Sequence, residues 1–208
     1  MLGARAHVAG LGCARWTLVL VSLTFILVVA PALAQDDLPL DEMSDSLGVR
    51  PDELRAYWAL HPPPFGSDDV PRPIRAKEMA TRILAERDDS FMAHLVLGDV
   101  QQNWEADFPR AAFHLRQALS IFEARYSNDP GSDAPWRWHS GILLSLAFVH
   151  GDLELYQQQL DLFARYNEKY EPKVIAEQVW PLMKQRRFDL ARVAAREGIE
   201  SGRVRQLE

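Results

Sequence analysis

The chain has 208 residues, 48% of them hydrophobic, and its 23 basic residues face 29 acidic ones for a formal net charge of −6 at pH 7. That balance excludes a general affinity for nucleic acid or anionic lipid, since both call for a basic surface. A single cysteine, Cys13, excludes any disulfide within the chain, so the fold must be held by packing.

Residues 1–16 carry Arg5 and Arg15 and no acidic residue; the apolar run TLVLVSLTFILVVA follows, then Pro31, Ala32, Leu33 and Ala34. Basic, apolar and small residues in that order describe a secretory signal peptide, with cleavage expected after Ala34 and Gln35 as the first mature residue. Residues 16–34 are also nearly as long as the roughly 20 apolar residues needed to span a bilayer, so an uncleaved anchor is the alternative. Either way the arginines stay on the cytoplasmic side and the rest is exported, to the periplasm or beyond, with membrane contact only if the leader is retained. Cys13 precedes the apolar run, which argues against a lipid-modified cysteine at the processing site. Without the leader, 21 basic residues face 29 acidic ones. A chain of that size can bury roughly 70% of its unfolded surface, enough for a core without staples.

Residues 35–72 read as an acidic, proline-rich arm. QDDLPLDEMSDSLGVR is acidic and without aromatics, and is expected to be mobile. One short helix, PDELRAYWAL, opens at Pro51 with Asp52 and Glu53 at the positive end of its dipole. After it, five prolines in thirteen residues, HPPPFGSDDVPRP, exclude regular structure and suggest a stiff spacer.

From residue 73 to 208 the pattern is helical. Pro73 opens PIRAKEMATRILAERD, with Ala76, Met79, Ala80, Ile83 and Leu84 on one face, and residues 88–90 end it and cap its successor. Residues 90–126 hold two apolar patterns joined by a turn near residues 105–109, an antiparallel pair that cannot bury both faces alone. Residues 127–135 form a loop. WRWHSGILLSLAFVH is the most apolar segment and is expected at the centre, with a tight turn at Gly151 and Asp152 leading into LELYQQQLDLFARYNEKY. Pro172 closes that helix, Pro181 should kink or split the next near Trp180, and FDLARVAAREGIES follows a minimal turn at Arg186 and Arg187.

Ala111, Tyr156 and Ala191 hold equivalent places in three pairs, 45 and 35 residues apart, which brackets a 34-residue unit with one long loop. Here the sequence resembles the tetratricopeptide repeat family, most closely in EMATRILAERDDSFMAHLVLGDV and RFDLARVAAREGI. His94, Gln101 and Tyr156 depart from the family pattern, and the repeat count lies between two and a half and three and a half. The fold class expected is therefore all-α, antiparallel helix pairs stacked as a short right-handed solenoid; a plain irregular helical bundle is the alternative.

The resemblance implies a concave groove lined by the first helix of each pair. Met92, Asp99, Gln102 and Asn103 from the first pair, Trp138 from the second, and Trp180 and Lys184 from the third would line it, holding a protein or peptide through aromatic anchors beside polar groups. The termini differ in charge: residues 35–70 hold nine acidic and two basic residues, and residues 184–208 seven basic and four acidic. The basic end would contact an acidic partner or another copy, or form a solvated capping face.

Catalysis finds little support. His139 and His150 lie about 16 Å apart along one helix, too far to share a metal. His94 and His114 can face each other but lack a third ligand of recognisable spacing. No HExxH, GxSxG or glycine-rich phosphate loop occurs, and no cofactor is implied. The reading is an exported, non-catalytic interaction scaffold. An exported all-helical enzyme acting on cell-wall glycan and a membrane-tethered assembly factor are the alternatives.

Overall fold

The computed structural model describes residues 40–62, 70–126, 135–171 and 173–201. The leader, residues 35–39, the proline-rich stretch 63–69, the loop at 127–134, Pro172, Arg203 and Arg205 lie outside the described residues. Among the described residues there are nine α-helices, one 3₁₀ turn and no strand, so the chain is all-helical as expected. The helices are α1 (Leu40–Ser46), α2 (Pro51–Leu60), α3 (Pro73–Glu86), α4 (Phe91–Asn103), α5 (Phe108–Tyr126), α6 (Trp136–Asp152), α7 (Tyr156–Lys169), α8 (Val179–Lys184) and α9 (Phe188–Glu200), with the 3₁₀ turn Ala176–Gln178 before α8. None is long and apolar enough to cross a membrane.

Each helix from α2 onward packs on the next in sequence, and α4 also touches α2 and α6. Within α4–α5, Phe91 meets Phe122 and Tyr126, His94 meets His114, and Gly98 lies under Leu115 and beside Ala111. Those partners run in opposite directions, so the pair is antiparallel. Gly98 permits the approach: a Cβ there would fall 2.6 Å from Leu115 Cγ. The centre is shared by α4 and α6, with ten and nine buried residues; α4 is as central as the more apolar α6 because α2, α3, α5 and α6 all pack on it.

Three short connections deserve comparison. Between α6 and α7, Glu154 is left-handed (φ 60°) and the Leu155 amide donates to the His150 carbonyl at 2.8 Å. Between α8 and α9, Arg186 is left-handed (φ 58°) and the Arg187 amide donates to the Leu182 carbonyl at 2.9 Å. This is one turn used twice: a left-handed residue ends the helix and the next amide reaches back five residues to an orphan carbonyl. The α4–α5 turn is one residue longer, with Ala106 at φ 54° and the Asp107 amide on the Gln101 carbonyl at 2.8 Å.

Several expectations are corrected. The segment after residue 39 is no mobile arm: Met43 and Leu47 pack on the main core, Leu54 is fully buried, and the Trp138 indole donates to the Leu47 carbonyl at 2.9 Å. Sparse apolar residues suffice there because a neighbouring surface completes their burial. Gly151 belongs to α6, and the turn lies at residues 153–155. The split expected near Trp180 is present, between the 3₁₀ turn and Val179, and Pro181 itself sits in the first turn of α8, where its missing amide costs nothing.

Candidate functional site

The polar side chains of α4 that escape the core form a row with groups from its neighbours. Asp99 is held from two sides: His61 Nε2 lies 2.5 Å from its Oδ2, and the Asn103 amide, one turn on, donates to its Oδ1. Gln102 donates to Asp152 at the end of α6, at 3.4 Å. His61 is where it is because α2 ends there, its backbone amide closing the last turn onto the Tyr57 carbonyl at 2.8 Å. Tyr57 meets the His61 ring at a tilt, 4.7 Å between centroids, and meets Trp138 edge-on at 5.0 Å. Burial, with the Asp99 charge beside it, holds the Tyr57 hydroxyl well above the usual phenol range, so it stays protonated and a donor.

A separate open cleft of about 760 Å³ lies between α3 and the end of α4 with the α4–α5 turn. Ile74 and Trp104 form apolar parts of its wall, and Lys77 pairs with Glu105 at 2.6 Å on its rim.

Of the seven residues expected in a groove, Asp99, Gln102 and Asn103 are brought together here. Met92 and Trp138 are not groove residues, since both are buried in the main core. A side chain's place on a first helix does not decide which way it faces, and both point to where a neighbouring helix covers them. Trp180 is exposed and carries the Lys184 ammonium 4.8 Å from its ring centroid. That pair stands on α8, which packs on α7 and α9.

Sequence reasoning missed His61, Lys77 and Trp104. The signal for His61 was its position closing a proline-started helix just before a proline run; for Trp104, a large aromatic placed after the last apolar position of α4 and before an acidic turn.

Two further polar groups lie inside the helix pairs. His94 and His114 do face each other, Nδ1 to Nδ1 at 2.8 Å. Burial, and then the neighbouring imidazole, lower His94 to about 4; burial also lowers His114. His139, fully buried, bonds the Tyr170 hydroxyl at 2.5 Å and Glu123 at 3.0 Å, and Arg165 donates to the same carboxylate. These contacts tie α5, α6 and α7 together. Among the described residues no group of three or more His, Cys, Asp or Glu is placed to hold a metal ion. No family model matches the chain, and no curated protein does.

Proposed function

We propose that the chain is an exported, non-catalytic scaffold of tetratricopeptide-like character, its helix pairs stacked as a short right-handed solenoid, which holds an extended protein or peptide segment across α2, α4 and α6. The observation that carries this reading is the position of the polar row: α4 touches both alternate helices, and the hydrogen-bonding groups of His61, Asp99, Gln102 and Asn103 lie along that line. Amide and carboxylate side chains in a row suit a backbone whose own N–H and C=O groups need partners. The turn that recurs at Glu154 and Arg186, 32 residues apart, supports a repeated unit near the length expected from the sequence. Trp180 with Lys184 offers a further aromatic anchor.

Export rests on the basic, apolar and small residues of 1–34, and the scaffold is tethered if that leader is retained. The His61–Asp99 pair offers a positioned base, but glycan hydrolysis calls for two carboxylates flanking one bond, and the side chains bonded to Asp99 are those of His61 and Asn103.

The test is quantitative cross-linked capture from the exporting cell with wild type, Asp99→Lys and Asn103→Ala. At least a roughly tenfold loss of the captured partner is expected in the charge-reversed variant. Equal recovery from all three overturns the binding face. N-terminal sequencing of the exported chain is expected to begin at Gln35.

A further inference from the structure

Helix α9 carries its charges at the wrong ends for a helix standing alone. Arg186 and Arg187 directly precede α9, at the positive end of its dipole, while Glu197 and Glu200 occupy its last turn, which holds no basic residue. Each arrangement opposes the helix dipole, where the reverse placement would complement it. Asp189 is the only acid in the first turn, and it is engaged by Arg192 at 3.7 Å.

The inner stripe of α9, Ala191, Ala194 and Gly198, is buried, and α9 packs on the 3₁₀ turn and α8. A second row, Leu190, Val193, Glu197 and Glu200, recurs at spacings of three and four, so it shares one face, and all four residues are exposed. Leu190 and Val193 are 46% and 51% accessible, an exposed apolar pair.

We propose that this end is a self-association surface, on which a second copy of the chain lays its own α9 antiparallel about a two-fold axis beside Leu190 and Val193. The argument is charge complementarity. In that arrangement Leu190 of one copy meets Val193 of the other, and the basic end of each helix lies over the acidic end of its partner. From the axis to the two arginines is about five residues and to the two glutamates about seven, a mismatch of roughly 3 Å along a helix, which long side chains span. Each copy's dipole then finds opposite charges at both of its ends. Arg196 stands about a quarter-turn away from the row and outside the contact. One helix per copy is a small interface, so the association is reversible and depends on concentration.

The test is sedimentation velocity of the full chain, as purified from cells, over about a hundredfold range of concentration. Wild type is expected to show a monomer–dimer equilibrium. Arg186→Glu with Arg187→Glu makes both ends acidic, and Glu197→Arg with Glu200→Arg makes both basic. Each double variant should weaken self-association roughly tenfold or more, and an equimolar mixture of the two should restore it. Val193→Glu, at an exposed position, should abolish it with helix content unchanged by circular dichroism. Wild type monomeric throughout, variants that associate as wild type does, or a mixture that fails to recover would each overturn the proposal. Loss of partner capture has no bearing on it, so the two readings fail separately.

Discussion

The Ser90 hydroxyl makes two hydrogen bonds that serve two helices. It accepts from the Ala93 amide at 3.1 Å, capping α4, and donates to Glu53 Oε1 at 2.5 Å. Glu53 is itself buried, and its other oxygen accepts the Arg50 amide at 2.9 Å, so one carboxylate ties the start of α2 to the start of α4. Arg87, at the end of α3, approaches the same carboxylate at 3.7 Å and bonds Asp52 at 2.9 Å. Ser90→Ala removes the cap and leaves a buried carboxylate oxygen short of a donor; the expected loss is about 2 kcal/mol, read as a lower urea midpoint with an unchanged slope. The cap itself was readable in the chain, because serine before an apolar run is a local signal. Its partner Glu53, 37 residues away, was not, because nothing in the helix PDELRAYWAL indicates which side will be covered.

At the scale of the element, the turns carry more information than the helices they join. Non-glycine residues in the left-handed region are strained by about 1 kcal/mol, and Glu154 and Arg186 both accept that strain so that the next amide can close on a helix carbonyl. Glu154→Gly should relieve it. Its side chain is exposed, so stability should rise by about 0.5–1 kcal/mol, seen as a higher thermal midpoint; a lower midpoint would mean that the glutamate makes a contact worth more than the strain. Helix starts at Pro51 and Pro73, the apolar face of α3 and the helix break near Pro181 were all legible beforehand, since proline and hydrophobic spacing act locally. The candidate site was legible in part. Asp99, Gln102 and Asn103 lie within five residues of one another on one helix, so their grouping follows from spacing, whereas their meeting with His61 depends on how α2 packs on α4.

Across the described residues of the molecule, four histidines are held toward the neutral form. Burial lowers His94, His114, His139 and His150 alike, and at His94 the shift is from 6.5 to about 4. A histidine that resists protonation in the folded state binds fewer protons than in the unfolded chain, so its contribution to stability is complete above about pH 6.5 and is lost as pH falls toward 4. His94 alone should cost about 2 kcal/mol by pH 5, with the other three acting in the same direction. Urea midpoints measured between pH 7.5 and 5 should therefore fall; a flat profile would contradict the burial of these rings.

The amino-acid sequence by itself determined that this chain is helical and where most of its helices begin, because caps, prolines and apolar periodicity act over a few residues. Only the tertiary structure decided that residues 40–60 belong to the body, that Met92 and Trp138 are core, and that His61 reaches Asp99. Those facts depend on which helix covers which face, and a helix carries no local mark of the neighbour that will cover it.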